Sequence, residues 1–358
     1  MVIKRIQVFR RGIHFHKPAR TSRNVFTERV INIIRLTDEN GVHGYGEAAP
    51  LSLLSVDDTP DYKSSTESAI RGWFENSDQS EPNFSHLPSL QFGWETAMLD
   101  LQNGGRRKLF DQEFTNGKPI RINGLVWMAT LDDMRAEARD KIRAGFRCIK
   151  LKIGAHDFEQ ELALLRELRQ EFDDIEIRLD ANGAFSTSDA LGNLEKLSQF
   201  NIHSIEQPIQ TSQWEAMAHL CQNSPIPIAL DEELIGVTGD LQSQLLEEMQ
   251  PQYIILKPNL IGGYKAADKW VQLANEFNCG WWATSALESD IGLNGIAQWV
   301  ASKNPDLPQG LGTGSLFVDN VPSPLFVKDQ ALYYEKDGSW GFEGFLEDAD
   351  LLFELNDR

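Results

Sequence analysis

The second part of the chain, from Pro119 onward, alternates between short apolar segments and longer amphipathic ones. The apolar segments, which predict strands, are residues 120–128, 148–153, 176–182, 202–209, 226–233, 253–259, 280–286 and 309–315. Between them apolar residues recur at the three- and four-residue spacing of a helix, as in the stretch 158–172. Strand and helix therefore alternate about eight times, which indicates parallel strands joined by right-handed crossovers.

Eight such units over about 200 residues have the size of a closed (β/α)8 barrel. A doubly wound open sheet is the alternative for this pattern. It is disfavoured because no Gly-x-Gly-x-x-Gly motif follows the early strands. We therefore predict an α/β fold with a barrel over residues 119–315.

The first part of the chain predicts a separate α+β unit over residues 1–118. Segments 3–9 and 30–36 alternate like strands, and 62–79 and 91–103 have helical patterns. The polar segment 16–29 lacks periodicity and predicts a long loop. The last residues, 316–358, are expected to pack back on the N-terminal unit.

One predicted strand is unusual because its apolar pattern is interrupted by Lys150 and Lys152. Side chains alternate across a strand, so both ammonium groups project to the same side. Two readings are open from this strand alone: a pair of salt-bridged or snorkelling lysines, or part of a functional site.

The other predicted strands favour the second reading, because a polar residue lies near the end of each. These residues are Lys152, Asp180, Glu206, Asp231, Lys257 and Ser285, at intervals of 28, 26, 25, 26 and 28 residues. Equivalent positions in successive units form a ring, and the C-terminal ends of barrel strands carry the chemistry in this architecture. We therefore expect these side chains to surround one cavity.

Three of these residues, Asp180, Glu206 and Asp231, are carboxylates that would repel one another without a cation. An all-oxygen ligand set suits a hard ion, so the sequence predicts Mg²⁺, with Mn²⁺ as a substitute. A lysine beside that ion would have a lowered pKa and could act as a base. This combination suits removal of a proton next to a carboxylate that the metal binds.

Other polar residues are candidates for supporting roles. Asn182 and Glu232 follow metal-ligand positions and are expected to act around the metal, as is Lys150 through its charge. Arg178 shares a strand face with Asp180 and is expected to point inward beneath the substrate. Gly312 and Thr313 offer a weaker signal for an anion held by backbone amides.

Composition excludes several classes of partner. Of 358 residues, 41% are hydrophobic and 24% charged, and the formal net charge is -19, which argues against nucleic acid or anionic membranes. No apolar run approaches the roughly 18 to 20 residues that span a bilayer. The odd number of cysteines, three in apolar surroundings, suggests reduced thiols and hence a cytoplasmic protein.

The motifs at the strand ends resemble the enolase superfamily, muconate-lactonising subgroup. They are "KLK", "LDAN", "IEQP", "LDE" and "LKPN" on the second to sixth strands. The resemblance implies a modified barrel of (β/α)7β type with an α+β capping domain. It further implies that Lys152 and Lys257 are the acid/base pair and that Asp180, Glu206 and Asp231 bind Mg²⁺.

Within that subgroup, the segment 284–299, "TSALESDIGLNGIAQW", is similar to o-succinylbenzoate synthases. The resemblance implies a dehydration of a small carboxylate in menaquinone biosynthesis. It places Ser285 near the substrate, together with Arg178, Gly312 and Thr313, already singled out, and puts Arg23 on a loop, 17–29, that closes over the site. Homo-oligomers are common for this architecture, although no stretch identifies an interface.

Relatives with other activities fit less well after the eighth strand. Dipeptide epimerases and muconate cycloisomerases resembling this chain carry acids there, whereas residues 312–315 read Gly-Thr-Gly-Ser, with no acid before Asp319. Racemisation of N-acylated amino acids uses the same two lysines and is the alternative that stays open.

Overall fold

We describe the protein from a computed structural model, which covers residues 1–20, 25–76 and 81–357. The strands are β1 (Ile3–Arg20), β2 (Val25–Asp38), β3 (His43–Ala48), β4 (Ile120–Arg121), β5 (Gly124–Val126), β6 (Cys148–Lys152), β7 (Glu176–Asp180), β8 (Ile202–Glu206), β9 (Ile228–Leu230), β10 (Tyr253–Leu256), β11 (Gly280–Ala283), β12 (Leu325–Lys328), β13 (Ala331–Tyr334) and β14 (Asp350–Asn356).

The helices are α1 (Tyr62–Asn76), α2 (Pro88–Gln102), α3 (Leu131–Arg143), α4 (Phe158–Glu171), α5 (Ala190–Leu197), α6 (Trp214–Asn223), α7 (Leu241–Met249), α8 (Pro258–Ile261), α9 (Gly263–Glu276), α10 (Asp290–Lys303) and α11 (Phe342–Glu347). Short 3-10 helices lie at Phe114–Asn116, Ser198–Phe200, Glu232–Leu234 and Gly314–Leu316. No helix among the described residues is both long and apolar enough to cross a bilayer.

The barrel is a parallel sheet whose seven strands, β5 to β11, lie side by side in chain order. The eighth position is taken by Gln309 and Gly310, which bridge to Ile122 and Thr284 at the two ends of that sheet. The amide of Gln309 donates to the carbonyl of Arg121, and that of Gly310 donates to the carbonyl of Ala283. These bonds close the sheet, so the predicted modified (β/α)8 barrel is confirmed.

Side-chain chemistry sets the starts of the helices around the barrel. The hydroxyl of Thr130 accepts from the amide of Asp133 at the start of α3, and Asp157 does the same for Gln160 at the start of α4. Such caps satisfy amides that have no partner inside the helix. The apolar faces of these helices pack on the outside of the strands in one large core.

The N-terminal unit is an antiparallel sheet in the order β14-β1-β2-β3, covered by α2. Helix α2 lies very close to β3, because a Cβ atom at Gly46 would stand 1.8 Å from the carbonyl oxygen of Gly93. Only glycine allows this approach. We refer to this sheet with α1 and α2 as the cap.

The C-terminal residues divide between the two parts of the molecule. β14 pairs with β1 and completes the cap sheet, as expected for a tail that packs back on the N-terminal unit. β12 and β13 instead form a small sheet with β4, which precedes the first barrel strand β5. The strand-like stretch at 325–335 therefore does not extend the cap.

The predicted long loop over residues 16–29 is wrong for most of its length. β1 and β2 continue through it as one antiparallel ribbon, with Ala19 opposite Phe26 and Arg20 opposite Val25. Several polar residues of the ribbon are exposed, so its sequence lacks the alternation that marks a half-buried strand. Residues 21–24 lie outside the described part of the chain.

Candidate active site

A cavity of about 210 Å³ opens at the C-terminal ends of the barrel strands. Its lining includes most of the residues that the sequence singled out: Lys150, Lys152, Asp180, Asn182, Glu232, Lys257, Ser285, Gly312 and Thr313. Apolar walls come from the cap (Phe26, Leu51, Leu54) and from the barrel (Leu125, Trp127, Leu287). The cavity is therefore built by both parts of the chain, with its charged groups on the barrel.

Strand register brings the charged groups together. Lys152 on β6 is opposite Asp180 on β7, which is opposite Glu206 on β8. Because the strands are parallel and in register, the three side chains lie at one level of the barrel. Asp231 directly follows β9 and Lys257 directly follows β10, so the three acids lie between the two lysines along the sheet.

Lys150 neutralises two of the acids. Its Nζ atom lies 2.7 and 2.6 Å from the two carboxylate oxygens of Glu206 and 2.9 Å from Oδ2 of Asp180. Burial opposes the charge of Lys150, but the carboxylates of Asp180 and Glu206 outweigh it and raise the pKa of this lysine. Lys150 therefore stays protonated in this arrangement and balances the charge of the acids.

Lys152 lies one pleat nearer the cavity and has different partners. Its Nζ atom donates to Oδ2 of Asp180 at 2.9 Å and to Oδ1 of Asn182 at 2.7 Å. The side chain is 8% exposed and lines the cavity. It is therefore held at the cavity wall, where its amine can reach a bound molecule.

Across the acids, Lys257 donates to Oδ2 of Asp231. Burial lowers the pKa of Lys257, but the carboxylates of Asp231 and Glu206 have the larger combined effect and raise it. The pKa of Glu206 is raised well above its ordinary value by burial and by the neighbouring charges of Asp180 and Asp231, with Lys150 opposing them.

The three carboxylates fit a hard divalent cation by their chemistry. Asp180, Glu206 and Asp231 are each at most 2% exposed, and the charges of Asp180 and Asp231 add to burial in raising the pKa of Glu206, a repulsion that a cation would relieve. Over residues 1–20, 25–76 and 81–357, no group of three His, Cys, Asp or Glu side chains is arranged to hold a metal. Each of the three carboxylates contacts a lysine instead, so a metal would have to displace those ammonium groups.

Asn182 forms hydrogen bonds with both Lys152, the candidate base, and Glu232. Its backbone is in the left-handed region, with φ of 44°, and its amide nitrogen Nδ2 donates to Oε1 of Glu232 at 2.9 Å. Its other side-chain atom, Oδ1, accepts from Lys152. Asn182 therefore orients Lys152 and Glu232 relative to each other.

Comparisons with known proteins identify the family of the chain. A model of the "Enolase C-terminal domain-like" family matches residues 133–334, and one described as "MenC, N-terminal domain" matches residues 3–101. An o-succinylbenzoate synthase from Desulfotalea psychrophila is 43% identical over 89% of this chain and 95% of its own length. The chain belongs to the o-succinylbenzoate synthase family of the enolase superfamily.

Solved structures place the fold in the same superfamily. The crystal structure of MenC from Desulfotalea psychrophila has a TM-score of 0.79 and 39% identity, over 93% of this chain and all of that one. A dipeptide epimerase from Cytophaga hutchinsonii, complexed with Mg and a dipeptide, has a TM-score of 0.79 over 100% of this chain and 97% of its own. At 20% identity the second likeness concerns the fold alone.

Residues 284–287, which follow the seventh barrel strand β11, form one wall of the cavity. The hydroxyl of Ser285 donates to Oε2 of Glu288 at 2.5 Å, and the amide of Ala286 donates to the same oxygen at 2.7 Å. Glu288 is fully buried, so it fixes the direction of the Ser285 hydroxyl from behind the wall. Of the described residues, none is a hydrogen-bond partner of the buried hydroxyl of Thr313, which lines the same cavity.

Two residues that the sequence predicts to contact substrate, Arg178 and Arg23, do not belong to the described cavity lining. Arg178 is not among the described residues that line the cavity; it lies one layer deeper, with its Nε atom 2.7 Å from Glu176 and its guanidinium carbon 4.2 Å from the ring centroid of Trp282. We therefore correct the expectation that it contacts substrate, since Asp180 on the same strand face lies between it and the cavity. Arg23 lies outside the described residues.

The sequence did not predict most of the residues that the cap contributes to the cavity lining. Phe26, Leu51 and Leu54 line the cavity, and nothing in their local pattern distinguishes them from ordinary core residues. Asn123, whose buried Oδ1 has no partner among the described residues, also lines it. Its position inside the predicted apolar strand 120–128 was a detectable signal, because a buried polar residue needs a partner.

The buried carboxylate of Glu47, on the cap strand β3, joins the cap to the barrel through hydrogen bonds. Its oxygens accept from the amide and hydroxyl of Ser289, at 3.0 and 2.5 Å, and from the amide of Gly292 at 3.0 Å. Ser289 is the residue that caps α10. Burial, with a further contribution from Glu288, raises the pKa of Glu47 to about 7, despite these bonds.

We expect the Glu47→Gln variant to lose part of the protein's pH dependence of stability. The folded carboxyl keeps its proton up to about pH 7, whereas the unfolded one releases it near 4.5, so the free energy of unfolding falls as pH rises through this window. Between about pH 5 and pH 8 that fall is on the order of 2–3 kcal/mol from this group, and Gln cannot titrate. Urea unfolding of wild type, Glu47→Gln and the surface control Glu335→Gln at both pH values measures it. An equal fall in wild type and Glu47→Gln would contradict the assignment.

Proposed function

We propose that the protein is an o-succinylbenzoate synthase. It converts 2-succinyl-6-hydroxy-2,4-cyclohexadiene-1-carboxylate to o-succinylbenzoate by loss of water, a step of menaquinone biosynthesis. The observation that carries the proposal is the array of two lysines and three buried acids at the C-terminal ends of successive barrel strands: Lys152, Asp180, Glu206, Asp231 and Lys257. The family membership and the 43% identical relative support the same reaction.

The residue that we assign to proton transfer is Lys152. As a neutral amine it takes the proton from the carbon next to the substrate's ring carboxylate, which breaks the C–H bond. The C–O bond to the hydroxyl group then breaks, and Lys152 returns its proton to the departing hydroxide, which leaves as water. The amine is regenerated, so one side chain on one face of the ring serves both steps.

Lys257 has an electrostatic role in this proposal. Its raised pKa keeps it protonated, because Asp231 and Glu206 stabilise the charge. A fixed cation at this position stabilises the negative charge that develops on the substrate when the proton is removed. Lys257 therefore complements Lys152 without exchanging a proton in the dehydration.

We assign Asp180, Glu206 and Asp231 as the ligands of a divalent cation, for which Mg²⁺ is the first candidate. When bound, the ion supplies positive charge beside the substrate carboxylate, where negative charge builds up. Superfamily enzymes use a divalent metal, and the epimerase from Cytophaga hutchinsonii with a similar fold was solved with Mg. Asn182 and Glu232 orient the groups around these ligands.

The alternative is racemisation of N-acylated amino acids, which needs two bases on opposite faces. Lys152 and Lys257 lie on opposite sides of the three acids along the sheet, so the two lysines would serve either reaction. Dipeptide epimerisation is disfavoured, because none of the described lining residues is an acid after the eighth strand that could hold a dipeptide's ammonium group, and Asp319 pairs with His14 at 2.8 Å. A reducing compartment such as the cytoplasm suits the three buried free thiols.

The experiment that tests the proposal is a direct dehydratase assay. We expect the purified protein to form the aromatic product, EDTA to abolish the reaction, and Mg²⁺ or Mn²⁺ to restore it. Incubation of N-succinylated amino acid enantiomers in D₂O is expected to give exchange that is slow relative to dehydration. Rapid exchange with both enantiomers and no dehydration would identify a racemase and overturn the proposal.

A further inference from the structure

Arg29, a buried arginine on the cap strand β2, contacts two loops that line the active-site cavity. Its Nη1 and Nη2 atoms donate to the carbonyls of Pro50 and Ala49, each at 2.5 Å. Its Nε atom donates to the carbonyl of Leu287 at 3.2 Å. The side chain is 4% exposed. One guanidinium thus ties the cap loop 49–54 to the loop after the seventh barrel strand.

The cap loop is fixed to a second barrel loop at the same point. The carbonyl of Ala49 also accepts from Nδ2 of Asn259, at 2.7 Å, and Asn259 is fully buried two residues after Lys257. The loop that carries Leu51 and Leu54 is therefore hydrogen-bonded to the segments that follow both β10 and β11, the sixth and seventh barrel strands. Both of those loops carry residues that line the cavity, so cap and barrel meet around Ala49.

The two loops that Arg29 holds are strained. Leu287 and Leu53 have φ values of 66° and 65°, in the left-handed region that a leucine rarely adopts. Such a residue persists only when its surroundings impose the conformation. The bond from Arg29 to the carbonyl of Leu287 supplies part of that constraint, and the bond to Pro50 anchors the start of the loop that contains Leu53.

The wall that these loops form is thin. A second cavity, of about 420 Å³, lies on the cap side of the active site, and Arg29 and Pro50 line it. Phe26 and Ser52 line both cavities. A displacement of loop 49–54 or of the β2 ribbon would therefore join the two spaces and admit water beside the substrate.

We infer that Arg29 is a positioning residue that holds the cap side of the substrate cavity closed. It acts through the backbone of loop 49–54 and of Leu287, and it touches neither the substrate nor the reacting groups. Burial lowers the pKa of the Arg29 guanidinium, with Glu288 acting in the opposite direction, and all three of its contacts are to backbone carbonyl oxygens. The inference rests on the proposed function for its kinetic consequences only.

The test compares Arg29→Met with wild type by two independent measurements. Hydrogen exchange is expected to speed up by at least about 10-fold at the amides of Leu54 and Ser55, which donate to the carbonyl of Leu51, and at Ala286 and Leu287. Binding of o-succinylbenzoate, and KM for dehydration, are expected to weaken by about 10- to 100-fold, with a smaller change in kcat. Arg29→Lys keeps the charge and one donor group, and we expect it to recover part of both effects.

A matched control is Arg35→Met on the same strand. Arg35 is partly buried, donates to Gln7 and lies 5.0 Å from the ring centroid of Phe9, on a part of β2 that does not line the cavity. We expect it to affect global stability but neither local exchange nor KM. Unchanged exchange and binding in Arg29→Met, or the same changes in Arg35→Met, would overturn the inference. The exchange measurement needs no turnover, so absence of dehydratase activity in wild type would refute the proposed function alone.

Discussion

Lys152→Met is expected to lower the dehydration rate by at least about 10³-fold while leaving the protein folded. The substitution removes the amine that takes and returns the proton, a contribution of about 10² to 10⁴-fold for general acid–base catalysis. Folding should survive because Asp180, its ion-pair partner, keeps Lys150 at 2.9 Å. Steady-state kinetics with saturating Mg²⁺ measure the rate, and circular dichroism monitors the fold.

The control for this variant is Lys196→Met, an exposed lysine of α5 that pairs with Glu159. It removes the same charge from the surface and is expected to retain wild-type turnover. If Lys152→Met keeps more than about a tenth of the wild-type rate, the base is another group. Lys257→Met separates the two lysines further, because a purely electrostatic loss lowers kcat without abolishing exchange of the substrate's α-proton with D₂O.

The site was predictable from the sequence because its charged residues are at the ends of strands. Regular spacing from Lys152 to Ser285 follows from one strand and one helix per unit, so a residue at one strand end predicts its counterparts. The contacts among them were not predictable. That Lys150 contacts both Glu206 and Asp180, whereas Lys152 contacts Asp180 and Asn182, depends on the register of β6 and β7 and on side-chain rotamers.

The cap was less predictable for a physical reason. Its contribution to the cavity comes from Phe26, Leu51 and Leu54, which reach the barrel through long-range packing that leaves no local periodicity. The part of the β1–β2 ribbon within residues 16–29 has the sequence pattern of a loop, because its polar residues are exposed and its strands are held by backbone hydrogen bonds. Arg29 is likewise defined by three carbonyls distant in sequence, at Ala49, Pro50 and Leu287.

Charge balance explains how the site can hold a metal and still provide a base. In this arrangement three lysines (150, 152 and 257) face three carboxylates (180, 206 and 231), and the formal charges cancel. A divalent cation on the carboxylates would add two positive charges and compete with the ammonium groups for the same oxygens. Loss of a proton from one lysine reduces that excess, so metal binding and the availability of a neutral amine are coupled.

Glu206→Gln is therefore expected to lower both Mg²⁺ affinity and metal-dependent activity strongly. Glu206 is on the middle strand of the three, and removing its charge leaves two carboxylates for the ion, so we expect Mg²⁺ affinity to fall by about 100-fold, or about 2.7 kcal/mol. The rise in melting temperature that saturating Mg²⁺ gives wild type should largely disappear, and turnover should fall by about 10² to 10³-fold. Calorimetric titration with Mg²⁺ and thermal unfolding with and without EDTA measure both.

Glu233→Gln is the matched control, since this neighbouring buried carboxylate accepts from Gln207 and Ser212 and does not line the cavity. Equal Mg²⁺ affinity in Glu206→Gln and wild type would remove Glu206 from the ligand set, and with it the charge coupling between the carboxylates and the base.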